Sequence, residues 1–234
     1  MNCRVERTDK FARKERIVPR APVHIVGCGG HAKVIAMMVE AGDQLDIVSF
    51  IDRDPAEGAS FLGRPVQDED TFLDARCGEA VIIALGEGVR RRETAARYKQ
   101  AGCSSFPAIV APSAEVAEGV LIGEGSVLMP GVIVNPGAEI GAFCVLNTGA
   151  ILEHDCALGD YAALAPGATV GGDCRIGAGA YIGIGAAVSH GRTIEPNAVI
   201  GGGSFLASDA GADELWGGVP AVLIRKRAPG ATVL

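Results

Sequence analysis

A six-residue repeat of branched aliphatic residues runs through the second half of the chain. Stepping six residues at a time from Val110, all seventeen positions through Leu206 are Val, Ile or Leu. We call these positions the anchors. Most repeats also carry a small residue four positions after the anchor. A short fixed period with a branched aliphatic at one phase predicts a parallel β-helix, because each unit buries its apolar side only against its neighbours.

The segment before the repeat shows a different pattern, typical of an α/β domain. Short apolar runs alternate with a glycine-rich turn and with helical segments. The predicted elements are strands over residues 23–26, 47–51 and 80–85 and near 105, helices over 33–41 and 89–101, and a turn at 63–65. This order predicts a small, open and wholly parallel sheet.

The glycine-rich turn at residues 27–32 fits the pattern G-x-G-x-x-A of dinucleotide-binding folds. Glycines let the backbone turn tightly and present N–H groups at a helix N-terminus, where the helix dipole favours a phosphate. The α/β segment ends near Phe106, which leaves room for about half of a two-lobed dinucleotide domain. A nicotinamide enzyme is therefore the weaker interpretation.

A ligand crevice is expected where the parallel strands end. Gly29, Gly30, His31, Asp52 and Gly86 all fall there. His31 has two interpretations: it hydrogen-bonds locally at the start of the helix, or it donates to a phosphate oxygen.

Composition excludes several classes of function. The net charge of -7 argues against a nucleic-acid partner. No apolar run approaches the ~20 residues that span a bilayer, and no secretory leader is apparent, so we expect a cytoplasmic protein. Seven cysteines without a C-x-x-C pair predict no zinc site, and those in the repeat are interpreted as small buried hydrophobes.

The polar stretch at residues 147–156 interrupts the repeat. His154 and Asp155 follow an anchor by two and three positions, so we expect both at a coil corner, facing outward. Asp155 can hold one ring nitrogen and raise the basicity of the other. If three repeats complete one coil, Gly172 stacks beside His154, leaving an open slot and an N–H for an oxyanion. His190, one coil further, is interpreted as structural or as a rim contact.

These motifs resemble known proteins. Units such as Ile-Gly-Glu-Gly-Ser-Val at 122–127 resemble the hexapeptide repeat of left-handed β-helix acyltransferases. Together with Gly-x-Gly-Gly-His after the first strand and Asn-Thr-Gly-Ala-x-x-Glu-His-Asp-Cys in the repeat, they resemble bacterial sugar acetyltransferases of the NeuD/PglD type. The resemblance implies an α/β Rossmann-like N-terminal domain, a C-terminal left-handed parallel β-helix, and a homotrimer with the donor site between subunits. It also implies acetyl-CoA as co-substrate. No metal is expected, because no cluster of metal-ligand residues is apparent in the sequence.

Site residues follow from the same resemblance, motif by motif. His154 would be the general base, Asp155 its orienting partner and Gly172 the oxyanion donor. The nucleotide-sugar site would contain Gly29, Gly30, His31, Asp52 and Gly86. The CoA contacts would be Gly172, Ile184, Gly185, Ala186, Pro220 and Lys226.

Two features of these site predictions remain open. The string at 218–221, followed by basic residues, resembles the end of many hexapeptide acetyltransferases near the CoA adenine and 3′-phosphate. A cap over the last coil with solvated basic residues is the alternative. Some members also carry a second histidine nine residues after the base, where this chain has Ala163.

The expected organisation has four parts. Residues 1–20 form a mobile basic tail, with a nucleic-acid or lipid role as the alternative, and residues 21–107 the nucleotide-sugar-binding domain. Residues 108–210 form the acyltransferase β-helix, and residues 211–234 a C-terminal cap or tail. The predicted activity is N-acetylation of the 4-amino group of a UDP- or GDP-linked amino-deoxy sugar by direct attack on the thioester. The alternatives are O-acetylation of a sugar such as sialic acid and a non-catalytic nucleotide-binding scaffold.

Overall fold

The N-terminal part folds as a five-stranded sheet with helices, in a computed structural model that describes residues 20–76, 78–228 and 231–232. The predicted tail at 1–20 lies, except for Arg20, outside the described residues. The elements are β1 (Ala21–Val26), α1 (Gly30–Ala41), β2 (Leu45–Asp52), β3 (Ser60–Phe61), β4 (Arg64–Asp68), α2 (Glu69–Arg76), β5 (Ala80–Ile83) and α3 (Gly88–Gln100). The strand order in the sheet is β3-β4-β2-β1-β5.

The parallel core of this sheet, formed by β1, β2, β4 and β5, agrees with the sequence pattern. The prediction of a wholly parallel sheet is wrong at the edge, where β3 pairs antiparallel with β4 through a turn at Leu62 and Gly63. The strand expected near residue 105 is also absent. The Ser105 carbonyl accepts one hydrogen bond from Val81 N–H (2.9 Å), but the segment continues into no ladder.

The repeat folds as a left-handed parallel β-helix of two-residue strands, each ending on an anchor. Each strand pairs in parallel with the strand three repeats further on, as Ile151↔Thr169 and Leu152↔Val170 do, so three strands complete a coil. The strands are β6 to β22, namely Ile109–Val110, Glu115–Val116, Leu121–Ile122, Val127–Leu128, Ile133–Val134, Glu139–Ile140, Val145–Leu146, Ile151–Leu152, Ala157–Leu158, Ala163–Leu164, Thr169–Val170, Arg175–Ile176, Tyr181–Ile182, Ala187–Val188, Thr193–Ile194, Val199–Ile200 and Phe205–Leu206.

The anchors fill the interior of the β-helix. From Leu128 onward they are buried, together with the small residues at the other inward phase. Cys144, Cys156 and Cys174 are among these small residues and are buried, as predicted. Val110, in the first coil, is 41% exposed because no coil stacks below it.

The corners of the coils require an unusual backbone conformation at one position. The third residue after an anchor has a positive φ, and glycine occupies most of these positions because it adopts this conformation without steric cost. Phe143 (φ 53°), Asp155 (φ 57°) and Tyr161 (φ 62°) are among the exceptions. A bulky side chain in this region is uncommon, so its presence needs a compensating contact.

The compensating contacts of Phe143 and Tyr161 join the two domains. Their rings stack at 5.4 Å between centroids, and Phe106 packs edge-on against Phe143 at 5.3 Å. Lys99 of α3 lies 4.9 Å from the Phe143 ring and forms an ion pair with Glu124 (2.6 Å). The α/β domain is thereby packed against one edge of the β-helix.

A β-hairpin closes the C-terminal end of the β-helix. Its strands are β23 (Glu214–Gly218) and β24 (Ala221–Lys226), and β23 extends the sheet that contains β21. No helix within the described ranges is long and apolar enough to cross a membrane. Nor do the described residues contain a group of three or more His, Cys, Asp or Glu side chains placed to hold a metal ion.

Candidate active site

His154 lies at the corner between β13 and β14, with 55% of its side chain exposed. Its Nδ1 is 2.9 Å from Oδ2 of Asp155. With the proton on Nδ1, the ring donates to the carboxylate and leaves Nε2 free to accept a proton. The predicted contact between these two residues is therefore present.

The hydrogen bond to Asp155 raises the pKa of His154 above its ordinary value. The negative charges of Asp155, Asp173 and Glu153 act in the same direction, while the small loss of solvation opposes them. Asp155 is held in turn by its main chain, whose N–H donates to Pro136 O at 3.1 Å. The corner thus presents a histidine of increased basicity on a fixed backbone.

Two glycines, one coil on either side, make room for this pair. A Cβ placed on Gly172 would lie 2.5 Å from His154 Nε2, and a Cβ on Gly137 would lie 2.4 Å from Asp155 Oδ1. The prediction of an open slot beside Gly172 is wrong, because the His154 ring itself occupies that space. The Gly172 N–H donates to no main-chain carbonyl in the described part of the chain, so the coil does not use this donor. Gly137 was missed in the sequence; its position, one coil before Asp155, was the available signal.

The glycine-rich turn lies at the start of α1. Gly29 precedes the helix and provides no side-chain cap, and the first turn contains no acidic residue. A Cβ on Gly29 or Gly30 would meet nothing within 4 Å, so protein packing does not require glycine at either position. The first-turn N–H groups are therefore available to an anion.

His31 and Gly86 lie together. A Cβ on Gly86 would be 3.9 Å from His31 Nδ1, and the buried Nε2 of His31 has no partner within the described residues. Burial, and secondarily the charge of Arg91, lowers the pKa of His31 to about 4, so the ring is neutral at pH 7. The structure confirms that these two predicted residues are neighbours.

Asp52 ends β2 in an adjacent crevice of about 80 Å³, which Gly27 and Arg90 also line. It contacts Cys28, whose pKa is raised to about 11 by burial and by the Asp52 carboxylate. The predicted nucleotide-sugar residues thus surround the C-terminal ends of β1, β2 and β5.

A larger pocket of about 230 Å³ lies between the two domains. Gly86 lines one side, and Asn147, Ala163 and Tyr181 of the β-helix line the other. Its β-helix wall belongs to the sheet that contains β12, β15 and β18. Ala163, at the position where the resemblance had raised a second histidine, is therefore a wall residue of this pocket.

The catalytic and acceptor candidates of one chain do not meet. A three-sided β-helix has three edges, and His154 lies on the edge between the other two sheets, those containing β13 and β14. An edge between two faces of a triangular prism is opposite the third face, which is the one lining the interdomain pocket. His154 and Gly86 therefore lie on opposite sides of the same chain.

Apart from Gly172, which lies against the His154 ring, the predicted CoA residues are distant from His154 as well. Ile184, 63% exposed, and Gly185 form a corner on the edge between the sheets of β18 and β19, while Pro220 and Lys226 are exposed in the C-terminal hairpin. Ala186, also predicted to contact CoA, is not exposed. Its side chain is fully buried, and its N–H and carbonyl are bonded to Gly183 and Thr169.

Family models match both parts of the chain. The PglD N-terminal domain model matches residues 22–98, and the bacterial transferase hexapeptide model, with six repeats, matches residues 113–148. No curated protein sequence matches the chain.

Solved structures extend the similarity to nearly the whole chain. A histidine-to-alanine variant of GDP-perosamine N-acetyltransferase from Caulobacter crescentus, in complex with CoA and GDP-perosamine, is 32% identical with a TM-score of 0.81, covering 88% of this chain and 98% of that chain. The acetyltransferase domain of PglB from Neisseria gonorrhoeae FA1090, also solved with acetyl coenzyme A, is 27% identical with a TM-score of 0.79 (88% and 100% covered). WeeI from Acinetobacter baumannii AYE is 27% identical with a TM-score of 0.79, covering 87% of this chain and 100% of that chain. With both domains matched in order and at this identity, the chain belongs to the NeuD/PglD-type family of hexapeptide-repeat, acetyl-CoA-dependent acetyltransferases.

Proposed function

We propose that this protein transfers the acetyl group of acetyl-CoA to the 4-amino group of a nucleotide-linked amino-deoxy sugar. The observation that carries the proposal is the exposed His154–Asp155 pair, in which Nε2 has no hydrogen-bond partner among the described residues. Gly137 and Gly172, which have no side chains, leave space for the pair. Similarity to the perosamine enzyme, solved with CoA and GDP-perosamine, supports the substrate class. The glycine-rich start of α1, which has no side-chain cap and no acidic residue in its first turn, is suited to a phosphate and supports a nucleotide-linked acceptor.

The chemistry needs one base and good positioning. The sugar amine attacks the thioester carbonyl, a C–N bond forms and the C–S bond breaks. An acceptor that arrives as an ammonium ion first releases one proton to water. His154 then accepts the proton that the neutral amine loses as the C–N bond forms, and returns it to the departing thiolate. The Gly172 N–H, which donates to no main-chain carbonyl among the described residues, is the proposed donor to the tetrahedral oxyanion. No acyl-enzyme is required.

The proposed site is shared between subunits. Because His154 and Gly86 lie on opposite sides of one chain, the acceptor bound near Gly86 reaches the His154 of an adjoining copy. A homotrimer with the donor between subunits satisfies this requirement. Ile184, Gly185, Pro220 and Lys226 are then the proposed CoA contacts.

A thiol-release assay with acetyl-CoA tests the proposed substrate class. We expect turnover with one member of a panel of UDP- and GDP-linked 4-amino-4,6-dideoxy sugars and none with free sialic acid. The product acetyl group should survive mild base, as an amide does and an ester does not. Turnover on sialic acid alone, with a base-labile product, would instead assign O-acetylation; nucleotide binding without any thiol release would assign a binding module.

The pH dependence of transfer tests the role of Asp155. We expect kcat/KM to rise with pH as His154 loses its proton, and the rise to move to lower pH in Asp155→Asn. The sign follows from the Asp155 hydrogen bond, which raises the pKa of His154 and keeps the ring protonated to higher pH. Profiles of kcat/KM against pH for both proteins measure the shift. An identical acid limb in the two profiles would show that Asp155 does not control the titration of the base.

A further inference from the structure

Arg91 of α3 is a buried cation between the two domains. It is 1% exposed, and its guanidinium makes four hydrogen bonds to main-chain carbonyls. Nη1 donates to Leu85 O (2.9 Å) and Gly86 O (2.8 Å), Nε to Phe143 O (2.8 Å) and Nη2 to Tyr161 O (3.0 Å). One guanidinium therefore connects the loop after β5 to two successive corners of the β-helix.

Hydrophobic packing alone does not explain this arrangement. Burial of a guanidinium is unfavourable, as the lowered pKa of Arg91, about 10, indicates, and an apolar side chain would fill the same volume without that cost. An apolar side chain cannot, however, form directional hydrogen bonds to the surrounding carbonyls. The planar fork of N–H donors fixes the relative position of three backbone segments at once.

The two corners are adapted to this contact. Phe143 and Tyr161 occupy the corner position of positive φ, where most coils have glycine. The carbonyl of this position faces outward; at Asp155 the equivalent carbonyl reaches the exposed side chain of Arg175 (3.4 Å). At Phe143 and Tyr161 two consecutive outward carbonyls are taken by the same arginine, beneath the aromatic stack that joins the domains.

Arg91 binds the loop of Leu85 and Gly86, which borders the proposed binding site of the acceptor sugar. Gly86 contacts His31 and lines the interdomain pocket opposite Asn147 and Tyr181. The β-helix is the rigid body that carries His154, and the acceptor must be delivered to that residue from the other side of a subunit boundary. The position of Gly86 relative to the β-helix therefore decides where the amine lies relative to the base.

We propose that Arg91 is a positioning residue for acetyl transfer, which locks the Leu85–Gly86 loop to the β-helix so that the acceptor is presented at a fixed distance from the base. The inference rests on the proposed function for the identity of the acceptor. The guanidinium of Arg91 bonds to main-chain carbonyls away from His154 and from the proposed CoA contacts, so its loss should impair use of the acceptor and leave use of acetyl-CoA intact.

The test uses the full-length Arg91→Lys and Arg91→Met variants. Lysine keeps the charge and the stem but not the fork, and it protects the test against a variant that fails to fold. We expect kcat/KM for the acceptor to fall about tenfold in Arg91→Lys and about 10²-fold in Arg91→Met, because displacements of about 1 Å have effects of this size. The KM for acetyl-CoA should not change. Lys99→Met, which breaks the Lys99–Glu124 contact of the same helix with the same β-helix, is the matched control and should behave as wild type.

Hydrogen exchange gives a readout that needs no substrate. Amides of residues 84–88 should exchange faster in Arg91→Lys than in wild type or Lys99→Met. Unchanged exchange, or acceptor kinetics equal to wild type in a folded Arg91 variant, would overturn the inference. An equal loss in Lys99→Met would do so too, because any loosened interface would then suffice. If wild type acetylates no amino sugar, the proposed function fails while the exchange result still decides the role of Arg91.

Discussion

Replacement of His154 by asparagine is expected to lower kcat by about 10²-fold or more, the usual contribution of a general base. Asparagine retains a polar group of similar reach that can still meet Asp155, but it cannot accept a proton from the amine. The loss should appear in kcat above the acid limb of the pH profile, with little change in the KM for either substrate. Steady-state thiol release with the acceptor identified from the sugar panel measures it.

His190→Asn is the matched control for this experiment. His190 is an exposed corner residue on the same edge of the β-helix, two coils after His154. It follows the anchor Val188 by two residues, as His154 follows Leu152. Its replacement should leave kcat unchanged. If His154→Asn keeps activity within a few-fold of wild type, proton transfer must be assigned to another group.

The β-helix could be predicted from the sequence because its periodicity is local. Each anchor repeats after six residues, and each strand pairs with a neighbour only three repeats away. The same short range explains why the His154–Asp155 contact and its stacking on Gly172 were predictable. Once the anchors are known to point inward, the position of every other residue relative to them indicates whether its side chain faces outward and which residue of the next coil it stacks on.

The features that were missed depend on distant or polar partners. Helix α2 buries Glu69 and Phe72 but has no apolar periodicity, so nothing in its pattern indicated a helix. Arg91 looks like one more cation in a polar helix, since the carbonyls that bind it are up to 70 residues away. A main-chain acceptor leaves no signal in the sequence.

Motif analysis also could not place His154 and Gly86 on opposite sides of the chain. Order along the chain places the glycine-rich turn before the catalytic corner but does not say on which side of the prism each lies. That depends on which sheet the α/β domain covers, and this contact is made by Phe106, Phe143 and Tyr161 through tertiary packing.

Substitution of Gly172 should affect catalysis without affecting the stability of the fold. Its corner position, two residues after an anchor, is Ala142 and Ala178 in two other repeats, so the coil backbone accepts alanine there. Gly172 itself has no positive φ. The clash that a methyl group would cause is with the His154 ring, at 2.5 Å from Nε2 and 2.6 Å from Cε1.

Gly172→Ala is therefore expected to leave the protein as stable as wild type and to lower kcat by about 10²-fold. To reach ordinary contact distance the ring must move by about 1 Å, and a misplacement of that size at a catalytic group costs about this factor. The thermal unfolding midpoint should not fall, because alanine also reduces the entropy of the unfolded chain. Ala178→Gly, the reverse change at the same phase on another edge, should preserve kcat while lowering stability slightly. Full activity in Gly172→Ala would mean that the His154 ring does not lie against residue 172 during transfer. The base would then have to act from a different rotamer.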